Sequence, residues 1–295
     1  MLFVAVILAG AVYTWNESGR AAATYPPTAS FVTVNDVLLH YRLAGSGTPV
    51  LLIHGNPGSL HDYDQVAPAL ETDHRVLVID RPGHGHSARP AAATPIEQVR
   101  LLHAAVAKLG LSRPVVVGHS WGGALALIYA VEYPDDLAAL VLVNARAEAH
   151  PGGGPFLYRI ARTPILGAML ERTVFLPIGR KTVSEGLVRV YRPDPVPPDE
   201  LARAQAMWLR PIEADSTVWD STNVQDALAT YAPRFGEIKV PTAIIVGDRD
   251  DLLPEDTALH NRIPQSSLTV VTNTGHMVPK TKPELVVNAV RGIAR

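Results

Sequence analysis

The chain has 295 residues, of which 47% are hydrophobic, a formal net charge of -2 and no cysteine. This length suffices for one large domain, or for a core with an inserted lobe, around a sizeable apolar interior. The near-neutral charge, without a clustered basic stripe, argues against nucleic acid as a partner. The absence of cysteine excludes disulfides, thiolate metal sites and cysteine nucleophiles.

The first 28 residues are predicted to form an apolar segment and a linker. Residues 1–15 carry no charged side chain, and the two prolines of Tyr25-Pro26-Pro27-Thr28 prevent a helix from continuing. The apolar run is shorter than the roughly 20 residues that span a bilayer, and it suits a signal-peptide core or a marginal anchor. We therefore expect membrane association through residues 2–15, with the protein anchored or exported. The alternatives are an apolar helix lying on the domain, and a cytoplasmic protein.

After the linker, short apolar runs alternate with helical patterns along the chain. The runs predict strands at 31–34, 37–43, 49–54, 75–80, 115–117, 137–143, 241–246 and 267–272. Helical patterns cover 61–70, 96–109, 124–131, 254–263 and 282–293. The pair Asn35-Asp36 predicts a hairpin between the first two strands. Because such alternation is typical of a parallel sheet covered on both faces, we predict an α/β fold with a mostly parallel, doubly wound sheet of about eight strands.

Residues 146–237 interrupt this alternation. Proline- and glycine-rich joints separate helical stretches there, and no convincing strand pattern occurs. We predict a mostly helical insertion that caps the site, with a core formed by residues 29–145 and 238–295. Its second part carries acids, which we expect to pair with other charges on solvated faces rather than to bind a ligand, among them Asp199, Glu200, Glu213, Asp215, Asp220 and Asp226.

The segment Gly118-His119-Ser120-Trp121-Gly122 has the G-x-S-x-G pattern of a nucleophile elbow. A β-branched apolar run precedes it and an alanine- and leucine-rich helical pattern follows it. The two glycines let the strand and the helix approach closely enough for a sharp turn, which exposes the Ser120 hydroxyl. Since a serine alone is a poor nucleophile, this interpretation requires a base, an acid and an anion site elsewhere in the chain.

Three further motifs, each just after a predicted strand, accompany the elbow. They are His54-Gly55-Asn56-Pro57-Gly58, Gly247-Asp248-Arg249-Asp250 and Gly275-His276-Met277-Val278-Pro279. With the elbow they resemble, in the same order, the motifs of the α/β-hydrolase superfamily, and the resemblance runs from about Phe31 to the C-terminus. Open parallel sheets place ligand sites at the carboxyl ends of their strands, which is where all four motifs are predicted to lie.

The resemblance to the serine-nucleophile branch of this superfamily implies a catalytic triad. Ser120 would attack a carbonyl carbon, and His276 would take its proton and return it to the leaving group. Asp250 would hold His276 in the correct tautomer, because the acid commonly lies three residues after the strand-ending glycine. Asp248 and Asp251 are rivals for this role.

The same resemblance implies two backbone donors for the negative oxygen of the tetrahedral intermediate. They are the N–H groups of Trp121, directly after the nucleophile, and of Asn56, in the loop after His54. The second acid position used by some relatives follows the strand that ends at Val143, where this chain has the uncharged Asn144. This difference favours Asp250 further.

Four other histidines lie in or beside these turns: His54, His84, His86 and His119. A histidine in a glycine-rich turn usually braces loops through hydrogen bonds, and we expect His119 to pack beside the elbow. No H-E-x-x-H or comparable ligand spacing accompanies them. We therefore predict neither a metal site nor a cofactor.

The elbow serine also narrows the reaction. Relatives that open epoxides or displace halide use an aspartate at this position, which argues against that chemistry here. We predict hydrolysis of a carboxylic ester of a fairly apolar small molecule through an acyl-enzyme. The alternatives are a proline-type aminopeptidase, a C–C bond hydrolase and a cofactor-free haloperoxidase or perhydrolase. A binding scaffold without activity is the non-enzymatic alternative.

Overall fold

A single sheet forms the centre of the molecule in the computed structural model, which describes residues 2–150, 163, 167, 173 and 175–293. The strands are β1 (Ser30–Val34), β2 (Val37–Gly45), β3 (Thr48–Ile53), β4 (His74–Ile79), β5 (Val115–His119), β6 (Ala139–Val143), β7 (Thr242–Gly247) and β8 (Ser266–Val271). Within the described part of the chain the sheet has eight strands, in the order β1-β2-β4-β3-β5-β6-β7-β8. β2 pairs antiparallel with β1 and β4, and the other pairs are parallel. The predicted fold class is confirmed.

Helices cover both faces of this sheet. In the described part of the chain the helices are α1 (Leu2–Thr24), α2 (Val66–Leu70), α3 (Pro95–Lys108), α4 (Trp121–Glu132), α5 (Phe175–Tyr191), α6 (Pro198–Met207), α7 (Pro211–Tyr231), α8 (Leu253–Arg262), α9 (Val278–Thr281) and α10 (Pro283–Ile293). Side chains of α3, α4 and α8 pack on one face, and those of α2 and α10 on the other. Along β3, Leu51 and Ile53 enter the first layer while Val50 and Leu52 enter the second. Burial on both faces explains why these strands are continuously apolar.

Two local predictions had different outcomes. Asn35 and Asp36 have φ angles of 46° and 63°, which suit a two-residue hairpin turn, and the predicted β1–β2 hairpin is confirmed. The single helix predicted at 61–70 is wrong, because a 3₁₀ turn (Leu60–Tyr63) and the separate helix α2 occupy this stretch. A continuous helix would need Pro68 to donate a hydrogen bond to the carbonyl of Asp64, and proline has no N–H.

The N-terminal helix α1 is longer than the apolar run and ends before the predicted linker. It packs on α6, buries Thr14 and Ala21, and pairs Glu17 with Arg180 of α5. Among the described residues, no helix combines the length and apolarity needed to cross a membrane. Membrane association through residues 2–15 stays a prediction, which fractionation of cells expressing the full chain or a form starting at Thr28 would check.

Helices α5, α6 and α7 lie between β6 and β7, and we call them the inserted helices. The described part of the stretch from residue 146 to 237 contains no strand. Most of its first part, residues 151–162, 164–166, 168–172 and 174, lies outside the described residues. Helix α7 packs against α3 and α4, and it thereby reaches the carboxyl edge of the sheet. The division into core and cap stays a prediction.

Candidate active site

Ser120 lies at the turn between β5 and α4. Its backbone has φ 54° and ψ -119°, a conformation that L-residues rarely adopt outside such a turn. A Cβ atom at Gly118 would collide with the carbonyl of Gly122, and one at Gly122 would collide with the carbonyl of Ile53. The glycines are therefore required by the close approach of strand and helix, as the sequence pattern indicated.

His276 and Asp250 meet in the loops that follow β8 and β7. The Nδ1–H of His276 donates to Oδ2 of Asp250 over 2.7 Å. Asp248 instead accepts from the backbone N–H of Thr274 at 3.2 Å, and Asp251 is exposed. Of these three adjacent acids, all within the described residues, Asp250 is the one that contacts the predicted base.

Asp250 is held as a carboxylate by several donors. Its Oδ1 accepts from the N–H of Leu252 at 3.1 Å, and its Oδ2 also accepts from Nδ2 of Asn144. Burial raises the pKa of Asp250, but the hydrogen bonds and charge of His276, helped by Leu252 and Asn144, outweigh burial and hold this pKa below its usual value. Asn144 stands at the second acid position used by some relatives. The sequence showed only that it carries no charge, whereas in the structure its amide donates to Asp250.

The predicted base, His276, lies beside the elbow. The Nε2–H of His119, the residue before Ser120, donates to the carbonyl of His276 at 2.9 Å, and the two imidazole rings are 4.9 Å apart. The N–H of His276 donates to the carbonyl of Val190 in α5 at 3.0 Å. Burial and the nearby His276 lower the pKa of His119 to about 3, so His119 is neutral at physiological pH. The elbow and an inserted helix thus hold the backbone of His276 from both sides.

The two predicted oxyanion residues both lie close to Ser120. Trp121 begins α4, and Asn56 follows Gly55, where a Cβ atom would lie 3.2 Å from the Cβ of Ser120. Their side chains also bind α7. Nδ2 of Asn56 donates to the carbonyl of Thr217 at 3.1 Å, and Nε1 of Trp121 donates to the carbonyl of Asp220 at 3.1 Å. The structure thus brings all five predicted site residues to the carboxyl edge of the sheet, and two of them, Asn56 and Trp121, contact α7.

A family model described as alpha/beta hydrolase fold matches residues 48–283, which is most of the chain. The chain belongs to the alpha/beta hydrolase fold family.

Relatives of this alpha/beta hydrolase have names that describe different reactions. It is 28% identical over 257 residues to a 2-hydroxy-6-oxo-6-phenylhexa-2,4-dienoate hydrolase of Comamonas testosteroni, covering 82% of this chain and 86% of that protein. It is 28% identical over 238 residues to Lipase 1 of Psychrobacter immobilis, covering 79% and 72%. The ligand-free epoxide hydrolase CorEH superposes with a TM-score of 0.76 at 22% identity, covering 90% and 98%. The comparisons support a hydrolase.

A buried charged network joins the core of the hydrolase to α7, and the sequence analysis missed it. Arg81, which directly follows the Asp80 predicted to end a strand, pairs with Asp220 at 2.6 Å and with Oε1 of Gln98 at 2.9 Å. His84 contacts Glu213 through Nδ1 at 2.6 Å and Asp220 through Nε2 at 2.9 Å. The position of Arg81 at the carboxyl end of a strand was the one signal that could have marked it.

The pKa values of the two histidines of this region are shifted in opposite directions. Burial and Arg81 lower the pKa of His54 well below its usual value, and its neutral Nε2 accepts from the N–H of Arg81 at 2.9 Å. Burial and Arg81 also lower the pKa of His84, but Glu213 and Asp220 outweigh them and raise it above the usual value. Among the described residues, no three His, Asp or Glu side chains are placed to hold a metal ion.

We expect replacement of His84 by glutamine to destabilise the fold by about 3 kcal/mol near pH 6, because the charge on Glu213 loses its buried partner. A histidine with a raised pKa stabilises the fold fully below its unfolded pKa, and this contribution is lost as pH rises through the folded pKa. The difference in the free energy of unfolding between wild type and His84→Gln should therefore become smaller as pH rises. Thermal unfolding of both proteins from about pH 6 to about pH 9 measures it.

A matched control is His61→Gln, which removes a contact with Asp64 at the surface. Surface ion pairs contribute little, so this variant should change stability by less than about 1 kcal/mol throughout. A loss of stability in His84→Gln that grows with rising pH would contradict the raised pKa of His84.

Proposed function

We propose that this alpha/beta hydrolase is a serine hydrolase that cleaves carboxylic esters of fairly apolar small molecules through an acyl-enzyme. The observation that carries the proposal is the 2.7 Å hydrogen bond between His276 and Asp250, formed in the loops beside the Ser120 elbow. A histidine oriented by a carboxylate is the general base that makes a neighbouring serine a nucleophile at neutral pH.

The tautomer of His276 sets the direction of proton transfer. Because its Nδ1–H donates to Asp250, its Nε2 carries the lone pair when the ring is neutral. Nε2 takes the proton of Ser120 as the hydroxyl oxygen bonds to the ester carbonyl carbon, and the imidazolium is stabilised by Asp250. Nε2 then gives the proton to the departing alcohol. Water repeats the sequence on the acyl-enzyme and releases the acid.

The N–H groups of Asn56 and Trp121 are proposed to bind the negative oxygen of each tetrahedral intermediate. Backbone donors fixed before the reaction need no reorganisation when the charge develops, and they act mainly on the transition state. Helix α7 touches both residues through their side chains. We therefore propose that the inserted helices form a cap whose position is coupled to these donors.

An apolar substrate is supported by the residues near the base. Met277, which follows His276, packs with Leu187 and Tyr191 of α5 and with Ala204 of α6. This cluster places apolar side chains of the inserted helices next to the histidine loop. A fairly apolar acyl or alcohol group is the substrate part that suits such a neighbourhood.

The aminopeptidase alternative is weakened by the pairing of the acids. It needs a free carboxylate to bind a substrate ammonium, but Glu213 and Asp220 pair with Arg81 and His84 in the buried network. Glu200 pairs with Lys280 at 2.9 Å, and Asp215 lies 3.3 Å from Arg89. The remaining acids of this set, Asp199 and Asp226, are exposed.

A C–C bond hydrolase is the second candidate, and the similarity to the Comamonas testosteroni protein favours it. The substrate in that protein's name contains no ester, so its hydrolysis breaks a C–C bond, and it carries a carboxylate. Arg81 is fully buried and its guanidinium is engaged by the network, which leaves it unsuited to bind that carboxylate.

A substrate panel tests the proposal. We expect kcat/KM on short p-nitrophenyl esters to exceed that on an amino-acyl p-nitroanilide and on a 2-hydroxy-6-oxo-dienoate by at least about 100-fold. A higher value on the dienoate would identify the C–C reaction, and a higher value on the anilide the aminopeptidase. Failure to hydrolyse any substrate and to react with a fluorophosphonate probe would indicate a binding scaffold.

A further inference from the structure

The direction of the Asn56 N–H depends on the carbonyl of Gly55, because both groups belong to the same peptide unit. A trans peptide is planar, and its C=O and N–H point in opposite directions. This peptide is trans, since the cis bond in the loop is the next one, Asn56-Pro57. Whatever holds the Gly55 oxygen on one side therefore aims the Asn56 N–H at the other.

Arg81 and His54 hold that oxygen. Nη2 of Arg81 donates to the Gly55 carbonyl at 2.8 Å, and Nδ1–H of His54 donates to the same oxygen at 2.9 Å. Nε of Arg81 also donates to the carbonyl of His54 at 3.1 Å. One guanidinium thus binds two successive carbonyls of the loop, a geometry that a single ammonium nitrogen does not reproduce.

The guanidinium of Arg81 is itself fixed from three sides. Its side chain is fully buried, and Nη1 donates to Asp220 at 2.6 Å and to Gln98 at 2.9 Å. Its Cζ atom lies over the ring of Trp121, 4.2 Å from the ring centroid, and Trp121 supplies the other proposed backbone donor. Arg81 therefore contacts Gly55 and Trp121, beside the two proposed oxyanion donors, and also Asp220 of α7.

We infer that Arg81 is a positioning residue for the oxyanion site, which aims the Asn56 N–H through the Gly55 carbonyl and is held in place by Asp220 of α7. This inference rests on the proposed serine hydrolase function. It explains why a charged side chain is buried here. It also assigns to α7 a part in holding the site's geometry that is independent of substrate contact.

The test compares Arg81→Lys with the matched control Arg89→Lys. Arg89 also joins the core to α7, through Ser216 at 2.9 Å and Asp215 at 3.3 Å, but it makes no hydrogen bond or ion pair with residues 54–56. With a p-nitrophenyl ester we expect Arg81→Lys to lower kcat roughly 100-fold and to leave KM within about threefold, since oxyanion donors act on the transition state. Arg89→Lys should stay within about threefold of wild type in both constants.

A second readout separates positioning from general damage. A trifluoromethyl ketone forms a tetrahedral anionic adduct with the serine, so its affinity should fall by about the same factor as kcat/KM in Arg81→Lys. The corresponding carbinol has an alcohol in place of the ketone and cannot form the adduct. Its affinity for Arg81→Lys should therefore stay within about threefold of its affinity for wild type. Unchanged ketone affinity, or a folded Arg81→Lys enzyme with near wild-type kcat, would overturn the inference.

Asp220→Asn is the second variant, should Arg81→Lys fail to fold. It keeps an oxygen that accepts from Nη1 but removes the charge that anchors Arg81, and we expect a roughly 10-fold loss in kcat matched by the ketone. Equal ketone affinity in wild type and folded Asp220→Asn would then overturn the inference. Ser120→Ala is run in the same assays, because activity that survives it would refute the proposed function rather than the role of Arg81.

Discussion

Replacing Ser120 by alanine is expected to lower kcat/KM on p-nitrophenyl esters by at least about 10,000-fold. In the proposed mechanism the hydroxyl oxygen of Ser120 bonds to the carbonyl carbon, and no other group of the proposed site replaces it. Alanine differs from serine by this oxygen alone, so the turn and the packing against Gly55 should persist. Ester hydrolysis and covalent labelling by a fluorophosphonate probe measure the effect, with circular dichroism as the check on folding.

Ser184→Ala is the matched control for this experiment. Its hydroxyl donates to the carbonyl of Arg180 within α5, and Ser184 forms no part of the proposed machinery. We expect wild-type hydrolysis and labelling from this variant. Ester hydrolysis by Ser120→Ala at a rate near that of wild type would end the serine-nucleophile proposal.

Asp250→Asn is expected to reduce kcat by about 10,000-fold while the protein stays folded. An asparagine amide can donate towards Nδ1 of His276, which favours the tautomer that carries its proton on Nε2. That tautomer has no lone pair to accept the proton of Ser120, and the imidazolium also loses its carboxylate. Steady-state kinetics on the same ester measure the loss.

Asp248→Asn is the natural control, because it makes the same substitution at a neighbouring acid of the same loop. Asp248 accepts from the N–H of Thr274 and lies within 4 Å of Arg249. An asparagine oxygen can still accept from Thr274, so kcat should fall less than about 10-fold. If Asp248→Asn were the crippling change and Asp250→Asn nearly silent, the assignment of the acid would be wrong.

The variants Ser120→Ala, Asp250→Asn and Arg81→Lys probe different parts of the proposed active site. In the proposed mechanism Ser120 and Asp250 both take part in proton transfer, where the effects of single losses are strongly non-additive. Arg81 is inferred to act on the proposed oxyanion site, which retains part of its effect when proton transfer is disabled. A double variant Asp250→Asn/Arg81→Lys should therefore be slower than either single variant.

Much of the sheet could be predicted from the sequence because its strands are buried on both faces. A strand such as β5 needs apolar side chains at every position, so a short window of sequence reveals it. The hairpin at Asn35-Asp36 was also predictable, since few residues adopt two positive φ angles in succession. The missed break before α2 had a local signal as well, in Pro68, which the apolar spacing of the surrounding residues obscured.

The candidate site could be predicted from the sequence only in part. The elbow and the loops that carry Asn56, Asp250 and His276 each follow a strand, and parallel strands of one sheet end at one edge. Their convergence therefore followed from the strand pattern and the family resemblance. The support of Asp250 by Asn144 did not follow, because residues 106 positions apart meet only through the pairing of β6 with β7.

The sequence by itself determined the strand pattern, the strained turn at Ser120 and the residue types available for proton transfer, because each depends on a few neighbouring residues. Only the tertiary structure decided that Asp220 and Glu213, 139 and 129 positions from their partners, neutralise Arg81 and His84. In the sequence these acids belong to a polar helix whose charges could equally face solvent. Whether a charge is solvated or buried against a partner depends on which face of α7 packs on the core, and that is settled by the assembly of the whole chain.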